Sequence, residues 1–517
     1  MMHNIVLVMP HFHERWHYGQ DVPHPPTGIF SIATYLANAG YGVHIVDANI
    51  EPEYLPHILD RVNDRTLFVG FSVMSTQVHP AIQIARILRE ARPHTPLIWG
   101  GVHPTLFPKP TLESPWADGV IAGQGEETAL DLANALRDGC PTSDISGFGQ
   151  RRDGQIQISR RDGVYDIGRL PFPRYDLLDV ERYIASDFRA TRRVFGRFLR
   201  TFTVHSANGC PYPCTFCINT IQDNFYRRYR MKTASRIITE MQYLAEHYGV
   251  EYVCFRDENF TMHKRRLIEY LDAYEAADMD TKWYCTVRAD YFNQNHLSES
   301  VLARMSRDGC ISLAVGAESG SPDVLRMLKK GITREQILSA AHAIARYKLR
   351  ASFSFMIGVP GESSGDAIET MQLAREVRDV SPDSYIIGPF LFRPYPGASL
   401  FDRCVEMGFC PPETLEEWIG YDFQELDRLP WLRDRVFWRF VIYYCEAQLY
   451  LGFTQMPWPK WPFKLLGALR IALGVYAYLA EERVYSFLNT LYRSMRGVGQ
   501  VGGDLHLSSR VRGCGSG

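Results

Sequence analysis

Cysteine is nearly missing from the first 200 residues of this 517-residue chain: of eleven cysteines, only Cys140 falls there. Dense, evenly spaced cysteines of the kind that staple a short secreted domain are therefore absent, and a reducing, cytoplasmic setting is expected. Long hydrophobic runs are absent as well. No stretch reaches the roughly 18 apolar residues of a membrane span, and the best candidate, 465–480, is broken by Arg470. The apolar residues 4–10 have neither a basic start nor a small-residue cleavage site, so no secretory leader is read there. Charge of one sign is lacking: the net charge is −2, which gives no basic surplus and no reason to expect a nucleic-acid partner. What remains is ordinary globular composition, 46% hydrophobic and 22% charged, on a chain long enough for several cores.

The apolar runs that do occur are short and alternate with helical patterns. Within 1–140, strands are expected at 4–10, 43–48, 66–73, 96–102 and 119–123, and helices at 28–40, 56–64, 80–90 and 126–137. Such alternation predicts parallel βαβ units, hence an α/β, doubly wound Rossmann-like sheet that binds ligands at the C-terminal ends of its strands. Residues 141–199 read as a linker, the polar stretch 138–166 holding one hairpin. A second series occupies 200–400, with strands at 202–207, 252–257, 283–288, 311–318, 351–359 and 385–392 and helices at 234–248, 264–277, 298–307, 334–348 and 366–380. Six strands suit a partial (β/α)6 barrel, whose active site belongs at the strand ends where the polar and Gly-rich turns cluster. Residues 401–496 form a helical, aromatic C-terminal domain, and the Gly- and Ser-rich 497–517 reads as a disordered tail.

The cysteines that follow residue 200 carry the chemistry. Residues 208–217 read NGCPYPCTFC, placing Cys210, Cys214 and Cys217 in a C-x3-C-x2-C loop directly after a strand. Thiolates are soft ligands for zinc or iron–sulfur clusters. Structural zinc wants four ligands, and no fourth cysteine is near, whereas a four-iron cluster on three thiolates keeps one iron open. The motif resembles the radical S-adenosylmethionine (radical SAM) signature. The resemblance implies a [4Fe–4S] cluster on these three cysteines, S-adenosyl-L-methionine on the open iron, and a 5′-deoxyadenosyl radical that abstracts hydrogen from substrate. It extends to Phe216, the aromatic beside the adenine. It also covers Asp257, Glu258 and Asn259 of the segment FRDENF, taken collectively as reaching the methionine moiety, and Arg288, Glu318 and Ser319 near the ribose and carboxylate. The turns 358–362 (GVPGE) and 394–397 (PYPG) resemble later strand-end elements of the same family.

The first domain is similar to the cobalamin-binding domains of cobalamin-dependent radical SAM proteins. The similarity rests on Ser72, Met74, Ser75 and Thr76 after the third strand, on Gly100, Gly101, Val102 and His103 after the fourth, and on Gly123, Gly125 and Glu126 after the fifth. Glycine lets a ligand approach the backbone closely. One departure stands out. Where other cobalamin domains carry D-x-H-x-x-G, alignment on Gly28 puts Pro23 and Pro25 at the Asp and His positions, so no protein imidazole is expected below the cobalt. His11, His13 and His24 are expected to be solvated loop residues.

Together these readings imply a class B radical SAM methyltransferase-like enzyme that moves a methyl group from methylcobalamin to an unactivated carbon. Its expected partners are a small-molecule substrate, bulky or apolar if the aromatic C-terminal segment lines the site, and an external reductant such as flavodoxin or ferredoxin. No catalytic acid or base can be singled out. The alternatives are a radical SAM cyclase or rearrangement enzyme of secondary-metabolite or lipid biosynthesis, and a non-catalytic cobalamin or redox sensor. A tRNA methylthiotransferase would need more N-terminal cysteines than Cys140. Helix 436–453 is read as core packing, and 456–462 with the helix after it as a weaker candidate for a membrane interface.

Overall fold

The structure, a computed structural model, describes residues 3–12, 24–159, 161, 166–186, 198–218, 229–419, 429–444, 461–473 and isolated positions from 475 to 491. Its first half is a seven-stranded sheet. β1 (Asn4–Met9), β2 (Gly42–Asp47), β3 (Thr66–Ser72), β4 (Leu97–Gly100) and β5 (Gly119–Ile121) run parallel in the order β2-β1-β3-β4-β5. The strands read as unbroken apolar runs because both faces are covered. Val6 and Val8 of β1 point into one buried cluster with Val69 and Trp99, while Ile5 and Leu7 point into another with Phe68 and Ile98.

The sheet does not stop at the expected five strands. The hairpin expected in 138–166 forms as β6 (Phe148–Arg152) and β7 (Gln155–Ile158), and it adds to β5 antiparallel instead of standing apart as linker. Gly119 makes this possible, since a β-carbon there would sit 2.5 Å from the buried Phe148 ring.

The second sheet starts at β8 (Thr201–Val204). After it come the short antiparallel pair β9 (Ala207–Asn208) and β10 (Arg230–Met231), then β11 (Tyr252–Phe255), β12 (Lys282–Val287), β13 (Cys310–Glu318), β14 (Arg350–Ile357) and β15 (Tyr385–Leu391). Six of these strands pair in parallel in the order β15-β14-β13-β12-β11-β8, an open partial barrel. Phe255, Trp283, Leu313 and Phe353 face outward into the largest buried cluster, under the covering helices. The alternate residues, such as Cys254, Tyr284 and Ser352, face the concave side and are only half-buried. The helices have legible ends: Thr233 caps helix Ala234–Tyr248, which stops at Gly249 with φ +60°, and Thr333 with Gln336 forms a capping box on helix Arg334–Arg346.

The two sheets meet. Val324, Leu328, Val359 and Phe392, which follow barrel strands, share one buried cluster with Phe71 and Val73 at the end of β3. Leu400 and Cys404 of helix Ser399–Glu406, with Phe409 and Trp418, fill the same cluster, and Ser114 donates to Glu416 at 2.7 Å. At the other edge, the buried Tyr183 hydroxyl donates to Asp47 at 2.7 Å. Helix Arg435–Tyr444 buries Phe437, Trp438, Phe440 and Val441 against the barrel cluster. The later part of the expected helix 436–453, most of 456–462 and the tail 497–517 lie outside the described residues. Among the described residues no helix is long and apolar enough to cross a membrane.

Candidate active site at the seam between the two sheets

The cysteine loop leaves β9 at Gly209 and is tied down by backbone bonds from distant segments. Thr215 N–H donates to Leu328 O at 2.9 Å, and Leu400 N–H donates to Thr215 O at 2.9 Å. Cys214 is buried; Cys210 and Cys217 are half-buried. Burial pushes the Cys210 thiol up. Among the described residues no three His, Cys, Asp or Glu side chains are already gathered to hold a metal ion. The loop fits a cluster through the chemistry of its donors: three soft thiols within eight residues, with cationic Arg288 and Lys330 close enough to act electrostatically on Cys214.

Around this loop the residues expected at S-adenosylmethionine divide into two groups. Asp257 is fully committed to the fold. Its Oδ1 accepts from Ser206 N (2.7 Å) and Ala207 N (2.9 Å), and its Oδ2 accepts from Ser206 Oγ and faces Arg266 at 3.9 Å. It fixes the backbone that launches the cysteine loop. Ser319 is also withdrawn: it is completely buried, with Oγ 2.8 Å from Thr370 Oγ1.

The second group is available. Asn259 is buried and donates from Nδ2 to Tyr291 Oη at 2.9 Å, yet its Oδ1 has no partner among the described residues. An orphaned buried acceptor beside the cysteine loop suits an ammonium or hydroxyl donor of a bound ligand. Glu258 is solvent-accessible but ringed by protein; it accepts from Gly209 N at 3.2 Å, and burial pushes its carboxyl up to about 7. Glu318 takes a left-handed φ of +64° and accepts from Lys330 Nζ at 2.7 Å; Lys330 Nζ lies 5.8 Å from the Phe216 ring. Gly316 leaves room for that pair, because a β-carbon there would crowd both charged ends and oblige them to shift. The Arg288 guanidinium stacks 3.6 Å from the Tyr212 ring centroid, donates to Asp290 at 2.9 Å and to Lys330 O at 2.7 Å. Tyr212 Oη in turn lies 2.8 Å from Tyr291 Oη. Lys330, Tyr212, Tyr291 and Arg266 were not singled out by the sequence. Their partners lie 6 to 79 residues away, and no local motif announces them.

On the facing sheet, the residues expected at cobalamin gather at the ends of β3, β4 and β5. Ser72 ends β3; Met74 is exposed, and Ser75 and Thr76 open the short turn Ser75–Gln77. Val73 N–H donates to Gly100 O at 2.8 Å, and His103 N–H donates to Val73 O at 3.0 Å. Gly101 has φ +91°, and a β-carbon there would lie 2.8 Å from Val73 N, so this glycine is demanded by the fold itself. Gly100 differs: its β-carbon would meet nothing nearer than 3.7 Å, an ordinary contact that the fold itself tolerates. Gly123 N–H donates to Thr105 Oγ1 at 2.9 Å, Gly125 packs on Ile32, and Glu126 accepts from Ser31 Oγ at 2.7 Å. Val102 starts the helix Val102–Leu106. His103 is wholly buried between the Phe107 and Trp418 rings, its Nδ1 3.0 Å from Ser75 Oγ and its Nε2 unpartnered; burial pulls its pKa down to about 3. The glycines and small hydroxyl side chains at these three strand ends fit a bulky ligand that approaches the backbone closely.

His24 departs from the expected solvated loop. Its Nδ1 lies 3.2 Å from Thr203 Oγ1 of β8, and burial pulls its pKa down to about 3. His11 packs on Tyr54 at 5.8 Å; His13 and Pro23 lie outside the described residues.

Comparisons with known proteins agree on both halves. The radical SAM superfamily matches residues 204–374, and the B12 binding domain matches residues 21–133. The uncharacterized methyltransferase PH0819 of Pyrococcus horikoshii is 29% identical over 385 residues, 74% of this chain and 78% of that protein. The anaerobic magnesium-protoporphyrin IX monomethyl ester cyclase of Rubrivivax gelatinosus is 24% identical over 409 residues, 77% of this chain and 69% of its own. Among solved structures, the radical S-adenosylmethionine methyltransferase TsrM of Kitasatospora setae, with cobalamin and a [4Fe–4S] cluster bound, superposes with a TM-score of 0.61 at 17% identity over 80% of each chain. With a B12-binding sheet and a radical SAM barrel closed on one another in a single chain, this protein belongs to the cobalamin-binding radical SAM enzymes.

Proposed function

We propose that this enzyme transfers a methyl group to an unactivated carbon of a small molecule. The observation that carries the reading is the seam: Phe216, inside the cysteine loop, packs against the same buried cluster as Val73 and Trp99 of the B12-binding sheet. That cluster brings the two candidate cofactor sites to one interface, where a single substrate carbon can face both. When bound, cobalamin would carry the methyl group, and S-adenosylmethionine on the cluster would supply the hydrogen-abstracting radical.

The chain's own contribution is placement. Cys210, Cys214 and Cys217 would hold the cluster, with Asp257 fixing the loop's origin through Ser206 and Ala207. Phe216, Glu258, Asn259, Arg288 and the Glu318–Lys330 pair would hold S-adenosylmethionine; Asn259 Oδ1 is the free acceptor and Glu318 the anchored carboxylate. The strand-end residues from Ser72 to Thr76, Gly100 to His103, and Gly123, Gly125 and Glu126 would line the cobalamin. A cytoplasmic setting and an external flavodoxin or ferredoxin complete the reading, since the chemistry begins with an electron.

Anaerobic reconstitution with iron, sulfide and cobalamin tests it. A broad cluster absorbance lost in the Cys210/Cys214/Cys217→Ala variant, together with corrin bands retained through gel filtration, is the expected result. A cluster without retained corrin would remove cobalamin-dependent methyl transfer. The second reading, ring formation, is supported by the cyclase relative, and it would then take first place.

A further inference from the structure

The concave face of the barrel holds a cation, Arg256, that is assigned no part in the cofactor site. Strand alternation puts Cys254 and Arg256 on this face, opposite Val253 and Phe255 in the core. Register sets their neighbours. Cys254 pairs with Thr203 on one side and Tyr284 on the other; Tyr284 pairs with Ser312, Thr286 with Ala314, and Ala314 with Ser352. The far wall is therefore built of small residues, Ala314, Ser352 and Ser354, which leave room in front of Arg256.

The Arg256 side chain is half-buried, and among the described residues no hydrogen bond or ion pair engages its guanidinium. Among the described residues, the acids at the neighbouring strand ends have partners of their own. Asp257 is saturated by Ser206, Ala207 and Arg266; Glu258 accepts from Gly209; Glu318 is paired with Lys330. The groups that interact electrostatically with Arg256 are His24, His205 and Tyr284, and burial favours the neutral form of all three. Among the described residues this half-buried guanidinium, beside neutral hydroxyl and imidazole groups, has no paired counter-charge, and planar, forked Arg is suited to two-oxygen anions.

We propose that Arg256 anchors an anionic group of the substrate, a carboxylate, phosphate or phosphonate, on the concave face of the barrel beneath the seam. The inference rests on the reading of that face as the substrate chamber. It adds a requirement to the substrate: whatever its apolar bulk, it carries an oxyanion within one side chain's reach of the carbon that reacts.

The test uses the cofactor-loaded full chain under anaerobic conditions. Methylphosphonate is titrated by ³¹P NMR and acetate by proton saturation transfer, with uncharged dimethyl methylphosphonate as control. The wild type should bind at least one anion and not the ester, and the stronger of the two identifies the head group. Arg256→Gln should weaken that binding about tenfold or more, and Arg256→Lys should retain most of it, as expected for a charged hydrogen bond. Release of 5′-deoxyadenosine without substrate should stay within about twofold of wild type in both variants, because Arg256 is assigned to substrate and not to S-adenosylmethionine. Anions that fail to bind the wild type, or that bind Arg256→Gln equally well, would overturn the proposal. So would loss of 5′-deoxyadenosine in the variants alone, which would make the cofactor's own carboxylate the bound anion. Absence of 5′-deoxyadenosine from the wild type itself would strike the proposed function, while the anion titrations would still decide the role of Arg256.

Discussion

One added methyl group has opposite consequences at two adjacent glycines. At Gly101 the backbone is left-handed and the new carbon meets Val73 N at 2.8 Å, so Gly101→Ala should destabilise the apoprotein by about 1–3 kcal/mol, measured by denaturant unfolding. At Gly100 the same methyl finds its nearest neighbour at 3.7 Å. Gly100→Ala should therefore fold normally and lose affinity for cobalamin, read from corrin absorbance after desalting. Equal cobalamin retention would show that this space is not the ligand's. Glu362 offers a second residue-scale test. Its Oε2 accepts from Val359 N at 2.8 Å, its Oε1 has no partner, and burial pushes its pKa from 4.5 up to about 8. A raised acid pKa means the folded state holds the proton more tightly than the unfolded chain. The Glu362 contribution is thus full below the unfolded value and lost as pH rises through about 8. Stability should fall across that window, and Glu362→Gln should flatten the fall in a pH series of melts. An unchanged slope would contradict the burial argument.

At the scale of elements, two buried charges connect the barrel to its cysteine loop. Lys330→Met strands Glu318, a residue already held at φ +64°, and should cost about 3–5 kcal/mol in urea unfolding; adding Glu318→Gln should restore part of it. Asp257→Ala leaves every thiol in place but frees Ser206 and Ala207, so cluster occupancy by iron analysis should drop although the cysteines are intact. Such roles were only partly legible in the sequence. Alternation of short apolar runs and helical patterns carried the parallel topology of both sheets, because covered strands must be apolar throughout. The hairpin β6–β7 was legible as a hairpin but not as part of the sheet, since of its two strands only Phe148 and Gly149 are buried. Asp257 and Ser319 were read with their motif neighbours as ligand contacts. Their actual partners, Ser206 and Thr370, lie 51 residues away in each case, beyond the reach of local pattern. Gly101 was credited to a ligand's approach, and the structure assigns its need to Val73.

For the whole molecule, the informative feature is that the strand ends of both sheets contribute to one buried cluster, with Trp418 from the C-terminal segment closing over His103. That enclosure is what placing two large cofactors against one carbon requires. Under the proposed function S-adenosylmethionine would serve twice: one molecule would methylate cobalamin and leave S-adenosylhomocysteine, and a second would supply the radical and leave 5′-deoxyadenosine. The most direct measurement is the product balance from S-adenosylmethionine in the reduced, reconstituted enzyme, with and without cobalamin. The account predicts 5′-deoxyadenosine in both cases and S-adenosylhomocysteine only when cobalamin is bound. 5′-Deoxyadenosine alone, whether or not cobalamin is present, would contradict methyl transfer and favour ring formation or rearrangement.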